Sequence, residues 1–457
     1  MTMGANAFLA CASLFFYSWW NIAYLPLILA SIIFNFFIGR RIASKDEVNF
    51  GFLTSKRVLV LGIIANVGLL GYYKYSDFFI HNVNSFFDRD YGLLHLILPL
   101  AISFFTFQQI AYLVDSYKKG IKEYNFINYT LFVTFFPQLL AGPIVHHSEM
   151  MPQFATLRTK LINYDNIAKG MFIFTIGLFK KVVIADTFAE WVNYGYYGTE
   201  AIDMLSAWAT TLSFSFQIYF DYSGYTDMAI GIALLFNIVL PINFFSPLKS
   251  QNIQIFWRRW NMTLTRFLKE YIFMPLGGVR RGRIIACVNL IITFTLGGLW
   301  HGADWTFVFW GVLHGTGLVV FILWKKYGFK MYGWLAWFIT VNFINVSIVF
   351  FRAENWTAAI RMLKGMVAYD MLNLPGPLRF ENNLNIKFDN FLGAINGDIW
   401  TIVWIFSGFI LVLCFKNSIE KMNEYKPSFF NVIFMSFTLL VGILYIVKES
   451  EFLYYNF

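Results

Sequence analysis

Two histidines and an aspartate, His301, Asp304 and His314, stand in GGLWHGADWTFVFWGVLHG, Gly297 to Gly315, one of the most apolar stretches of the chain. Ionisable groups at membrane depth cost free energy and call for a functional reading. His301 is the strongest chemical candidate. It follows Gly297-Gly298 and precedes Gly302, with Trp300 and Trp305 beside it. Small residues let a substrate approach the backbone closely, and the indoles exclude water. A neutral imidazole in that setting can take a proton from a hydroxyl as its oxygen attacks an acyl carbon. The competing reading is a histidine hydrogen-bonded between helices.

Other chemistries fit less well. On one continuous helix, His301 and His314 would lie about 20 Å apart along the axis, too far to share a metal. No HExxH motif or Cys/His cluster stands elsewhere, so no metal site is expected. No GxSxG nucleophile elbow is present either. Ser223, in FDYSGYTD, has Asp221 and Asp227 nearby but no local histidine. That segment reads as a break between membrane helices, polar because it lines a cavity. Asp221 is then a candidate substrate contact, with helix capping and internal hydrogen bonding as the alternative. His81 lies in a polar connection, and His95 begins a membrane segment. His146 and His147 follow Gly142-Pro143 in a loop, where a lipid-interface or donor-entry role is open.

The elements that hold these residues are set by composition. Of 457 residues, 58% are hydrophobic and 13% charged, with mean hydropathy +0.57. Soluble domains carry about 25% charged residues, so this chain is a polytopic membrane protein. Apolar runs recur near residues 6–20, 22–38, 58–73, 92–115, 126–142, 169–190, 204–220, 226–240, 284–300, 304–324, 332–352, 399–415 and 429–447. Several are too short to span alone, which predicts roughly eleven spans with interfacial and re-entrant helices in one integral-membrane domain. Cys11, Cys287 and Cys414 lie far apart in apolar runs and read as buried thiols. The amino terminus lacks a basic n-region, which argues against a cleaved signal peptide.

Residues 241–283 carry eight Lys/Arg against one acid, Glu270, while 353–398 carry four bases against five acids. The positive-inside rule places the first loop in the cytoplasm and the second outside, with the acidic tail after Lys448 also outside. The net charge of +9 reports these basic loops rather than nucleic-acid binding. Within the first loop, FWRRWNMTLTRFLKEYIFMPLGG predicts a helix lying in the cytoplasmic interface, its aromatics dipped into the bilayer. Arg258, Arg259 and Arg266, with Trp260, could hold the phosphates of a cytoplasmic donor. The null alternative for that helix is a basic membrane anchor. Asn261 shares its apolar stripe, and a buried amide there is either structural or an active-site group.

These residues match a family pattern. The chain resembles the membrane-bound O-acyltransferases, in particular their bacterial polysaccharide O-acetylation branch. The resemblance rests on LPLAISFFTFQQIAYLVDSYK, FFPQLLAGPIVHHSEMMPQF, GLFKKVVIAD, FSFQIYFDYSGYTDMAIGIALLF and the two segments quoted above, in that order from about residue 70 to 320. Beyond about 330 it rests on hydropathy. The resemblance implies an all-α bundle around a central tunnel, with His301 of the WHG triplet as the central catalytic histidine. It puts Asn261 at the second catalytic position, where close relatives have histidine and eukaryotic members asparagine. Relatives have arginine at the place of His146, and longer ones carry an extra first membrane segment. By the same resemblance His314 of the LHG triplet is shared by close relatives, where it either supports the site from behind or contacts the glycan.

The resemblance further implies acetyl-CoA as donor, no bound cofactor, and a periplasmic or extracellular glycan acceptor reached through a partner transferase from the bacterial inner membrane. A chain rich in Phe, Ile, Asn and Lys favours peptidoglycan over alginate or another exopolysaccharide. Teichoic-acid D-alanylation, with a carrier-protein thioester, is a related alternative. From another class, a transporter would use Asp186, Asp221, Asp227 and the histidines as an ion path, leaving WRRWN and WHG unexplained.

Overall fold

The computed structural model describes residues 2–44, 54–369, 391–446 and 452–453, and every regular element among them is helical. An amino-terminal group comprises α1 (Thr2–Trp20), α2 (Leu25–Ala43), α3 (Ser55–Phe87) and α4 (Ile102–Lys119), followed by α5 (Phe126–Thr134), α6 (Phe136–Leu139) and α7 (His147–Ala155). The run expected at 126–142 is thus divided between α5 and α6, each too short to span.

Next come α8 (Tyr164–Phe179), a π-helical turn over Lys180–Ala185, α9 (Asp186–Tyr197) and the long α10 (Met204–Leu235). The glycines explain how tightly these pair. A Cβ on Gly177 would lie 2.6 Å from the Gly224 carbonyl oxygen, and one on Gly170 2.7 Å from that of Gly231. Small residues at such a crossing let two helix backbones touch.

The expected break at FDYSGYTD does not exist: α10 runs straight through it. Its acids are matched across the seam instead of lining an open cavity. Lys180 pairs with Asp227 (2.8 Å), and Lys181 bridges Asp186 (2.7 Å) and Asp221 (2.9 Å). Asp221 also accepts a hydrogen bond from Leu453 N (3.2 Å). The expected acidic tail lies for the most part beyond the described residues, but Phe452 and Leu453 pack against Tyr225 and Asp221 within the bundle. The end of the expected last span at residue 447 and residues 370–390 of the second loop also lie outside the described residues.

Short α11 (Ile253–Trp257) and α12 (Met262–Leu268) lead to α13 (Arg283–His301), α14 (Trp305–Lys326), α15 (Gly333–Arg352) and α16 (Trp356–Met366). Then follow α17 (Ile399–Cys414), α18 (Ser418–Asn423) and α19 (Phe429–Tyr445). Five helices among the described residues are long and apolar enough to cross a membrane, the segment 22–43 with α3, α13, α14 and α15, and α17 and α19 are shorter apolar helices. In α10, Ser213, Gln217, Asp221 and Asp227 are buried in protein rather than turned to lipid, and this depresses its hydropathy. Cys11 and Cys414 are exposed on apolar helices rather than buried as expected.

Helices α13 and α14 form a hairpin. Gly298 and Gly311 face each other across it so closely that a Cβ on either would strike the opposite backbone. Arg283 and Lys325–Lys326 mark its basic end, the one that the positive-inside rule assigns to the cytoplasm. His301 therefore sits at the other end, about 28 Å along α13.

Candidate active site

Helix α13 ends on His301, and Asp304 opens α14 by accepting the Thr306 N–H (2.9 Å). The aspartate in the apolar stretch is thus a helix cap. His301 is 4% exposed. Its ring meets those of Trp300 (4.8 Å), Trp310 (5.3 Å) and Phe351 (5.1 Å), all edge to face. From α3, Lys74 Nζ donates to the carbonyls of Trp300 and His301, and Tyr75 Oη donates to Leu299 O (2.9 Å). A cation there complements the negative end of the α13 dipole and holds the histidine's backbone. Neither Lys74 nor Tyr75 stood out in the sequence. The one available signal was a lysine inside a long apolar run.

A cavity of about 30 Å³ is lined by His301, Phe351, Ile344 and Leu248. Trp257, Trp260, Trp310 and His314 complete much of its wall, with Ser215 among the few polar contributions. The space is small and walled mostly by aromatic rings, fit for a small group rather than a long chain. The hairpin brings His301 and His314 to this one cavity, correcting the separation expected for a single helix. His314 receives the Trp257 indole N–H (3.1 Å) and lies 3.0 Å from Ser347 Oγ. Among the described residues, no group of three or more His, Cys, Asp or Glu could hold a metal ion.

The expected interfacial helix is broken. Asn261 has φ 41° and ψ 57°, the left-handed region, and separates α11 from α12. Asparagine, aspartate and histidine are the non-glycine residues enriched in that conformation. The backbone thus suits asparagine, and would suit histidine equally. The aromatic residues Trp257, Trp260 and Phe267 are buried in protein rather than dipped into lipid. Trp257 and Trp260 reach the His301 cavity, whereas Asn261 does not line it. The Asn261 amide is 1% exposed and completes no well-formed hydrogen bond among the described residues, with the Tyr222 hydroxyl in loose contact.

Other candidates are placed elsewhere. Arg258 is exposed and Arg259 half-buried. Arg266 is engaged by Glu149 through both guanidinium amines, with NH2 to Oε2 at 3.1 Å, and also donates to Ile144 O. It is therefore not available as a ready phosphate ligand. Trp305 is 52% exposed and donates to Asn82 Oδ1 (2.8 Å), away from the cavity. Asp221 belongs to the Lys181 ion pair, not to the cavity wall. His146 lies 3.2 Å from Asp115 Oδ2 and 3.1 Å from Tyr271 Oη, while His147 lies 3.2 Å from Glu123.

Burial pushes the Glu149 carboxyl upward, but Arg266 and the His146 backbone N–H outweigh it and hold it below the usual range. A carboxylate depressed on folding adds stability above its unfolded value, about 4.3, and loses that contribution as pH falls through the folded value. Glu149→Gln should therefore lower the melting temperature at neutral pH, with the difference shrinking as the pH falls below about 4.3 and on through the lower folded value. Thermal unfolding of both proteins across that range checks this.

A sequence model described as the membrane-bound O-acyltransferase family matches residues 115–355. The chain is 46% identical to a peptidoglycan O-acetyltransferase of Helicobacter pylori, covering 98% of this chain and 91% of that protein. It is 36% identical to a probable alginate O-acetylase of Pseudomonas aeruginosa, over 80% of this chain and 70% of the relative. A teichoic acid D-alanyltransferase of Streptococcus thermophilus is 26% identical over 57% of this chain and 69% of its own. His301, its glycine-packed hairpin and the all-α membrane bundle accompany a family match across more than half the chain, and the protein is a member of the membrane-bound O-acyltransferase family.

Proposed function

We propose that this membrane acyltransferase takes acetyl from acetyl-CoA at the cytoplasmic face and transfers it toward a cell-envelope glycan, peptidoglycan foremost. The aromatic-walled cavity at His301 is the observation that carries the reading. It is small, it is lined by Leu248 next to the basic loop as well as by Phe351, and it presents the imidazole of His301. Arg258 and Arg259 remain as the basic groups for donor phosphates, without Arg266. The similarity to a peptidoglycan O-acetyltransferase over nearly the full chain supports the choice of acceptor.

In the reaction, His301 takes the proton from an acceptor hydroxyl as that oxygen attacks the thioester carbonyl. Collapse of the tetrahedral intermediate breaks the C–S bond, and the proton passes to the departing sulfur. The acyl group leaves on oxygen and CoA leaves as its thiol, so atoms and charge balance. Asn261, on the left-handed junction between the cavity-lining Trp257 and Trp260 and helix α12, orients the thioester carbonyl. The acceptor approaches from the side opposite the basic loop, in the bacterial inner membrane, either directly or as a hydroxyl of a partner transferase.

The test is CoA release from acetyl-CoA by the purified protein in nanodiscs, alongside a D-alanyl carrier-protein donor, with glycan fragments analysed for added acetyl. CoA release coupled to O-acetyl glycan is the expected result. Turnover with the carrier thioester alone would replace the donor assignment, and ion flux with no donor present would replace the enzyme reading with transport.

A further inference from the structure

We propose that His314 is a positioning residue locked in a single tautomer, which ties together the walls of the His301 cavity and does not handle the proton of the reaction. This deepens the functional reading above and rests on it for its kinetic arm.

The argument is one of donors and acceptors. An indole N–H can only donate. Trp257 Nε1 is 3.1 Å from His314 Nδ1, so Nδ1 is the acceptor and carries no hydrogen. The neutral ring then holds its hydrogen on Nε2, 3.0 Å from Ser347 Oγ. Ser347 donates its own hydrogen to Ile344 O at 2.9 Å, leaving its lone pairs for the imidazole. The chain runs Trp257 to His314 to Ser347 to Ile344, and each donor meets an acceptor. The other tautomer would set two hydrogens against each other at Nδ1. Adding a second proton to the ring would break the Trp257 bond at a site only 1% exposed, where water offers no substitute.

The tie spans three elements. Through Trp257 it holds α11, which precedes the left-handed Asn261; through Ser347 it holds α15, which supplies Ile344, Ile348 and Phe351 to the cavity. Trp310 stands between the two histidines, 5.3 Å from the His301 ring and 4.6 Å from that of His314. A displaced His314 therefore moves the indole that bounds the catalytic imidazole.

Two measurements test this. Nitrogen-15 NMR of the histidine-labelled full chain in nanodiscs, with six histidines to resolve and the His314 signal assigned by its loss in His314→Gln, should show Nδ1 bare and Nε2 protonated. A proton on Nδ1, or on both nitrogens, near neutral pH overturns the proposal whatever the enzyme's substrate proves to be. In acyl transfer, His314→Ala should lose about 100-fold, the scale expected when a catalytic geometry shifts by about 1 Å. His314→Gln, which keeps one acceptor and one donor, should recover most of that loss and leave the acid limb of the pH–rate profile where the wild type has it. A glutamine variant as slow as alanine, or one whose acid limb disappears, would identify His314 as a proton carrier and end the positioning reading. If no donor supports turnover in the wild type, the functional proposal fails while the NMR result still decides the tautomer.

Discussion

Replacing His301 by alanine is expected to lower acyl transfer by roughly 10²–10⁴-fold, the usual contribution of a general base, while the bundle stays folded. The reason for expecting a folded variant is local. The contacts that fasten this end of α13 use backbone carbonyls, with Lys74 reaching those of Trp300 and His301 and Tyr75 that of Leu299. Alanine keeps all of these. What it removes is the imidazole among Trp300, Trp310 and Phe351, leaving space in an already narrow cavity. CoA release and glycan acetylation give the kinetic readout, and thermal unfolding in the same nanodiscs gives the structural one. His301→Gln, nearer in volume, separates loss of the base from loss of packing and should be equally slow. A folded alanine variant with normal turnover would remove His301 from the chemistry.

Lys181→Met should destabilise the bundle by about 3–5 kcal/mol, the scale for breaking a buried pair by deleting one partner. Lys181 serves two carboxylates, Asp186 and Asp221, whose side chains are 6% and 1% exposed. Methionine fills similar space but leaves both acids beside each other without their cation. The contrast comes from the neighbouring pair. Lys180→Met combined with Asp227→Leu removes both charges at once, and such replacements are often neutral or stabilising. The double variant should therefore melt close to wild type, whereas Lys181→Met melts far lower or fails to accumulate. Equal melting temperatures for Lys181→Met and wild type would show that the network contributes nothing.

What was legible in the sequence was mostly local. The hydropathy of α13, α14 and α15 and the glycines around His301 can be read within a few residues, and they led to the hairpin that carries His301. The central helix was misread for the same reason: polar residues in α10 look like a break unless Lys180 and Lys181, more than forty residues earlier in the chain for Asp227 and forty for Asp221, are seen to face them. Arg266 looked available because Glu149 is 117 residues away. Lys74 went unnoticed because its acceptors, at Trp300 and His301, are 226 and 227 residues distant. At Asn261 the stripe of apolar residues continued, and the periodicity carried no sign of a left-handed backbone.

The ion pairs between α8–α9 and α10 also bear on how the chain is made. During synthesis Lys181 meets Asp186 five residues later, but Lys180 precedes Asp227 by 47. At about 5–20 residues per second that interval lasts a few seconds. A lone lysine at the centre of an inserting helix costs about 2.5–3.5 kcal/mol on the translocon scale. Insertion of the first helix ahead of its partner is therefore expected to be slow, with the pair entering lipid together once α10 has been made.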